Sequence, residues 1–339
     1  MAMKICVIGA GAIGGLLGGK LALAGETVTF IEKSAAQREA INKNGLKLLM
    51  HDGPALLAKN VRATDDMGEP GPQDMVIIAV KAQQIPAIAP DIKKLYGPDT
   101  IVMTLQNGLP WWYFKKHGGP FDGRRLNSVD PNGIIDANIE PDRIVGCVVF
   151  PAASVVAPGV IQHEEGDRFS VGELDGRKSN RIQAIYNMIV GSGLKSFILD
   201  NVRAEIWLKA WGNLSFNPIS ALTHATMVDI ARFPQTRELS VKMMEEAQAV
   251  ANKLGITFRH TIEKRIAGAE GVGAHKTSML QDVEAGRALE IEALVGSIVE
   301  MARLTETPTP HIDAIYDCTK LLDKVMTEAH AAVALKPLN

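Results

Sequence analysis

The sequence predicts an α/β protein in two parts: a doubly wound domain with a parallel sheet over residues 1–200, and an all-helical domain over 201–339. Three observations predict this. Strand-like and helix-like runs alternate through the first 110 residues, the pattern of a parallel sheet with crossover helices. A glycine-rich turn, Gly9-Ala10-Gly11-Ala12-Ile13-Gly14, joins the first strand to the first helix. From about residue 202 the apolar periodicity is helical, with few strand signals.

The elements follow in order. Lys4-Ile5-Cys6-Val7-Ile8 is a short strand, 13–24 a helix, Gly25 a turn and 28–31 a second strand. The run MVIIAV at 75–80 is continuously apolar, which suits a strand buried on both faces. A further strand is expected at 101–105. Residues 111–142, rich in Gly, Pro, Asp and Asn, interrupt the rhythm as a long excursion. Its Trp111, Trp112 and Phe114 begin just after Asn107, where they could lid the mouth of an active site. Hairpin-like strands resume at 144–149, 160–163 and 169–172, with Pro158-Gly159 as a turn. A helix over 180–190 and a strand over 197–199 close this half. Helices are expected at 203–217, 235–254, 258–270, 279–304 and 311–329, with Thr307-Pro308-Thr309-Pro310 between the last two.

Composition narrows the class. The chain has 339 residues, 46% apolar and 22% charged, as a packed globular protein requires. A net charge of −2 lacks the basic footprint of a nucleic-acid binder. Cys6, Cys147 and Cys318 are isolated and mostly set in apolar runs, which suits buried, reduced thiols and a cytoplasmic protein. No histidine pair has metal-ligand spacing, so no metal is expected. No apolar run approaches the ~20 residues of a membrane span. The first strand begins at once, with no h-region and cleavage site, so no secretory signal is expected.

The turn at residues 9–14 has the spacing G-x-G-x-x-G. The first glycine makes the tight turn, the second lets the backbone approach a pyrophosphate, and the third lets helix and strand pack closely. The helix N-terminus then offers unpaired N–H groups and a favourable dipole to the phosphates. At the end of the second strand an acid binds the ribose hydroxyls of NAD, whereas a basic residue accommodates the extra phosphate of NADP. Glu32 and Lys33 stand there together, with Arg38 further on, so both cofactors stay open. Lys81 and Asn107 follow predicted parallel strands, at the sheet edge where ligands bind in such folds. A surface lysine and a turn-forming Asn before Gly108 are the plain alternatives.

The second half carries a polar stripe. Lys209, Asn213 and Asn217 lie four residues apart, so a helix stacks them on one face among Ile206, Trp207, Leu208, Trp211, Leu214 and Phe216. Reduction of a ketone needs hydride at carbon and a proton at oxygen, and an ammonium supplies the proton while neutralising the developing alkoxide. A snorkelling surface lysine is the alternative. Asn217 precedes Pro218, which by itself accounts for a poor helix former. Further on, Ser278 with Gln281 reads as a capping box or as a carboxylate-binding serine at a helix start. Glu290 reads as an i,i+3 partner of Arg287, or as an acceptor for a substrate hydroxyl that also orients Lys209.

The blocks GAGAIGG, VKAQQ around Lys81, LQNG around Asn107, AEIWLKAWGNLSFNPISAL and KTSMLQDVEAGRALEIEAL resemble the ketopantoate reductase (2-dehydropantoate 2-reductase) family over nearly the whole chain. The resemblance implies a Rossmann-like domain, NADPH-dependent reduction of a 2-keto acid to its 2-hydroxy acid in pantothenate synthesis, and an interdomain substrate cleft. It implies Lys209 as general acid and Glu290 as catalytic, substrate-binding carboxylate. Asn213 and Asn217 match substrate-holding amides, and Ser278 the serine on the substrate carboxylate. Asn107 falls between nicotinamide and substrate, Lys81 and the Ala152 backbone on the cofactor, and Lys33 where many members carry an arginine for the 2′-phosphate. Met227 stands where some members have a further Asn, which leaves the exact substrate open. The alternatives are a paralogue acting on another 2-keto acid and a dinucleotide sensor without turnover. A homodimer built on the apolar helices is a further expectation.

Overall fold

The computed structural model describes residues 2–336. The chain forms two compact units. One contains the residues up to Asn107 with Trp111–Arg125 and Asn132–Val202. The other contains Gly108–Pro110, Leu126–Pro131 and the chain from Arg203 onward.

The strands of the first unit are β1 (Lys4–Ile8), β2 (Thr27–Ile31), β3 (Leu46–Leu49), β4 (Leu56–Ala58), β5 (Val61–Thr64), β6 (Gln73–Ile78), β7 (Tyr96–Thr104), β8 (Ile144–Val149), β9 (Ala152–Ala157), β10 (Val160–Glu165) and β11 (Phe169–Glu173). Its helices are α1 (Ala12–Leu23), α2 (Ala35–Asn44), α3 (Ile85–Ile88), α4 (Ile134–Asn138) and α5 (Asn180–Gly191). A seven-stranded sheet has the order β11-β8-β7-β6-β1-β2-β5 and is parallel except for β11. The order reverses between β1 and β6, so the loops that follow these strands form the switch point of the doubly wound sheet. The apolar runs at Ile5–Ile8 and Met75–Ile78 are buried throughout, as strands covered on both faces must be.

A second sheet, β4-β3-β10-β9, was not foreseen from the sequence. Its β9–β10 hairpin turns at Pro158-Gly159, as expected. The second sheet accounts for the composition of α1. A helix with apolar residues all round has to be covered all round. On one side a methyl at Gly18 would lie 2.6 Å from the Phe30 ring of β2. On the other, methyls at Gly15 and Gly19 would lie 2.8 Å from Ile161 and 3.2 Å from Leu46 and Leu48. The glycines let α1 approach both sheets closely.

The excursion at 111–142 is partly ordered by burial. Trp111, Trp112, Tyr113 and Phe114 are all buried, so they serve the core and do not form the expected lid. Trp112 lies where a methyl at Gly146 of β8 would stand, and its Nε1 donates to Thr104 Oγ1 at 3.1 Å. The strand expected at 197–199 reduces to a single bridge, Val171 to Ile198.

The second unit contains α6 (Val202–Thr223), α7 (Met227–Arg232), α8 (Pro234–Lys253), α9 (Ile262–Val272), α10 (Ser278–Glu284), a π-helical turn (Glu292–Gly296), α11 (Ser297–Leu304) and α12 (Pro310–Ala329). Helix α6 runs through Pro218, past the end expected from the sequence. Proline removes one helical hydrogen bond, but Ile219, Ser220 and Ala221 are buried and packing carries the helix on. Trp211 stacks on Phe258 with centroids 3.8 Å apart and donates to the Met244 carbonyl of α8 at 3.0 Å. The single helix expected at 279–304 is broken. Gly286 (φ +63°) ends α10 in a Schellman motif, with Arg287 N donating to Asp282 O at 2.9 Å and Gly286 N to Val283 O at 3.2 Å. Among the described residues no helix is long and apolar enough to cross a membrane.

Candidate active site

The glycine turn of the first unit is built as its spacing requires. Gly9 has φ +103°, a conformation that L side chains rarely adopt, and its N–H donates to Ile31 O at 2.8 Å. At Gly14 a methyl would collide with the Gly9 carbonyl and lie 2.7 Å from Ala79 Cβ. At Gly11 a methyl would meet nothing within 4 Å, so this backbone stays open to a ligand. No side chain caps α1, which leaves its first N–H groups available to phosphate. Ala10, Ala12 and Ile13 complete the turn.

The turn after β2 is held from both sides. Glu32 accepts the N–H of Ala10 and of Ser34, each at 2.9 Å, so its carboxylate is drawn onto backbone donors. Arg38 donates to the carbonyls of Glu32 and Lys33 and pairs with Asp65 at 2.8 Å; it braces the turn. Lys33 is exposed. Lys81 precedes a short 3₁₀ turn beyond β6 and is half-buried, as is Asn107 beyond β7. Ala152 opens β9 just beyond β8. The turn at 9–14 with Lys33, Lys81, Asn107 and Ala152 thus follows the carboxyl ends of the parallel strands β1, β2, β6, β7 and β8.

In the second unit, α6 holds Lys209, Asn213 and Asn217 in helical register. Lys209 and Asn213 are half-buried and Asn217 is buried. Asn217 Nδ2 lies 3.5 Å from Ser278 Oγ, which joins two separate sequence signals. The cap of α10 is Thr277, not Ser278: Thr277 Oγ1 accepts the Leu280 N–H at 3.2 Å. The Ser278 hydroxyl is therefore not used in capping. Arg287 pairs with Asp282 at 2.8 Å. Glu290 lies between α10 and the π-helical turn and is half-buried. Such turns recur at functional sites. Two residues beyond Asn107, Leu109 N donates to the Ala293 carbonyl of that turn at 2.9 Å. A methyl at Gly108 would collide with the same carbonyl.

One residue escaped the sequence reading. Arg265 of α9 lays its guanidinium over Gly212 of α6, where a methyl would collide with Nη2 and lie 2.7 Å from Cζ. Its Nε is sealed from solvent without a hydrogen-bond partner. Burial pulls the guanidinium pKa below its ordinary value. Leaving such a group unpaired costs several kcal/mol. No local sequence signal marks it, because the seat is on another helix.

Models of the ketopantoate reductase PanE/ApbA family match residues 5–110, and models of its C-terminal domain match 201–323. The chain belongs to the ketopantoate reductase family. It is 50% identical over 313 residues to the 2-dehydropantoate 2-reductase of Mesorhizobium japonicum, covering 92% of this chain and 95% of that one. A crystal structure from Ralstonia solanacearum MolK2, provisionally assigned as a ketopantoate reductase, superposes with a TM-score of 0.90 at 38% identity, covering 96% of this chain and 99% of that one. D-mandelate dehydrogenase, solved with NADH and anilino(oxo)acetate, shares the fold at 22% identity and a TM-score of 0.81, covering 96% and 100%.

Proposed function

We propose that this chain is a cytoplasmic, NADPH-dependent 2-dehydropantoate 2-reductase, which reduces ketopantoate to pantoate in pantothenate and coenzyme A synthesis. The observation that carries this reading is 50% identity to a protein of that name over nearly the full length of both chains. The stretch 1–200 serves as the NADP-binding domain and 201–339 as the substrate and catalytic domain. NADPH would be held by Gly9, Ala10, Gly11, Ala12, Ile13 and Gly14, with Lys81, Asn107 and the Ala152 backbone, and it supplies the hydride. The open backbone at Gly11 and the uncapped start of α1 fit a pyrophosphate. Exposed Lys33 supports the 2′-phosphate, while the charge of Glu32 is directed at two backbone N–H groups.

Lys209 donates the proton to the oxygen that becomes the alkoxide when C2 is reduced, and its charge stabilises that oxygen. Glu290 orients Lys209 and accepts a substrate hydroxyl. Asn107, Asn213, Asn217 and Ser278 fix the substrate. A homodimer is the proposed assembly, supported by Leu321 and Val325, exposed one turn apart on α12. The test is a steady-state assay with ketopantoate against both cofactors. NADPH should give the higher kcat/KM, and NADH equal to or better than NADPH would return the turn after β2 to an NAD site. A second reading, reduction of another 2-keto acid, is favoured by Met227 in place of an amide, and a panel of 2-keto acids in the same assay separates it.

A further inference from the structure

We propose that Gln37 and Glu32 are positioning residues of the dinucleotide site: they grip Ala10 of the glycine turn by its N–H and its carbonyl, and so fix the direction in which the Gly11 N–H meets a pyrophosphate oxygen. This rests on the dinucleotide-dependent reading above. Glu32 Oε2 accepts the Ala10 N–H at 2.9 Å, and Gln37 Nε2 donates to the Ala10 carbonyl at 2.8 Å. The other end of the same amide, Gln37 Oε1, accepts the Gly159 N–H at 2.8 Å. Only this orientation of the amide suits a carbonyl on one side and an N–H on the other. Gln37 is 6% exposed and Ala10 1%, so water hardly competes for either bond. Gly159 is itself held, because its carbonyl accepts the Lys47 N–H of β3 at 2.9 Å. Gln37 thus ties the turn at 9–14 to the hairpin of the small sheet.

The start of α2 makes this use of Gln37 unusual. Ser34 caps the helix and accepts the Gln37 N–H at 3.3 Å. Ser34-Ala35-Ala36-Gln37 has the spacing of a capping box, in which the glutamine side chain would return to the Ser34 N–H. Glu32 Oε1 takes that N–H instead, at 2.9 Å, and the Gln37 amide reaches the glycine turn. Peptide geometry supplies the consequence. In a trans peptide the N–H points opposite to the carbonyl of the same plane. The Ala10 carbonyl and the Gly11 N–H share one plane, so holding the carbonyl on Gln37 turns the Gly11 N–H away from α2. The Gly9 carbonyl and the Ala10 N–H share the preceding plane, which Glu32 holds. A methyl at Gly11 would meet nothing within 4 Å, so an anion can approach the backbone there. With both carboxylate oxygens on backbone N–H groups, Glu32 serves the turn and not an adenosine ribose.

The test measures binding on the whole enzyme, without turnover. NADPH, NADH and 2′-AMP, which has the 2′-phosphate but no pyrophosphate, are titrated calorimetrically. Gln37→Met loses both side-chain bonds and should weaken NADPH and NADH alike by about tenfold. Its affinity for 2′-AMP should stay within about twofold of wild type. Gln37→Glu keeps an acceptor for Gly159 but sets an oxygen against the Ala10 carbonyl; it should show the same pattern and serves if Gln37→Met does not fold. Glu32→Asp keeps the charge but is one methylene too short for the grip, and should weaken both dinucleotides together. Gln37→Met binding both dinucleotides like wild type would overturn the proposal. So would a loss of 2′-AMP by the same factor, because the whole adenosine site would then have loosened. Loss of NADH alone in Glu32→Asp would make Glu32 a ribose acid and overturn its part. Wild-type turnover is recorded alongside: an enzyme that follows this binding pattern but reduces no 2-keto acid refutes the reductase reading and leaves the grip on Ala10 standing.

Discussion

The chemistry proposed for the residue scale rests on Lys209. It stands out in the sequence because it shares one face of an otherwise apolar helix with Asn213 and Asn217, four and eight residues on, and Asn213 has no plain account of its own. The structure adds that α6 is continuous through all three and that Asn217 meets Ser278. If Lys209 is the acid, Lys209→Ala should lower kcat by roughly 10²- to 10⁴-fold, the usual worth of a positioned acid. NADPH affinity, read by fluorescence titration, should stay within twofold of wild type. A variant that keeps normal turnover would remove Lys209 from its role. Arg265 was illegible for the opposite reason. Its meaning depends on Gly212, more than 50 positions earlier, and on the absence of a partner, which only coordinates reveal.

Punctuation was the weak point at the scale of elements. The chain was read as one helix over 279–304 because the apolar periodicity on either side of 285–290 matches, yet Gly286 offered a C-cap signal that outranks periodicity. Conversely, Pro218 looked like a stop and was not, since buried neighbours outweigh one lost hydrogen bond. The start of α10 shows how a one-residue error matters. With Ser278 as the cap, its hydroxyl would be spent on the backbone; with Thr277 as the cap, the Ser278 hydroxyl is left for the proposed substrate contact. Thr277→Ala should therefore cost about 1 kcal/mol of stability in denaturant titration. Ser278→Ala should leave stability within about 0.5 kcal/mol of wild type and raise KM for the keto acid. Equal stability losses in the two variants would show that Ser278 shares the capping.

The large parallel sheet was visible in the whole molecule because a strand covered on both faces announces itself by a continuous apolar run. The small sheet was not, because β3, β4, β9 and β10 are short and only half covered, and β3 pairs with β10 more than 100 residues away. The clue lay in α1, whose apolar circumference needed a second covering layer. The edge of the large sheet also fixes how the protein should respond to acid. Glu173 at the end of β11 is buried, which raises its pKa, but hydrogen bonds from Arg181 and Ser179 and the nearby guanidinium charges outweigh burial and hold it below the ordinary range. Arg181 contacts the carboxylate through Nε at 2.7 Å and also donates to the Ile144 carbonyl of β8, so one side chain ties α5 to two strands. A depressed folded pKa means that the unfolded chain takes up the proton first as pH falls. The contribution of the pair is thus complete above about pH 4.3, the free glutamate value, and is lost as pH falls through the lower, folded value. Arg181→Met leaves a buried, unpaired carboxylate and should cost about 3–5 kcal/mol at pH 7. Acid should narrow the gap to wild type, because protonation relieves the stranded charge in the variant while it dismantles the pair in the native protein. Thermal or urea unfolding at pH 7 and at about pH 4 measures this directly, and a deficit equal at both values would show that Arg181 acts by packing and not by charge.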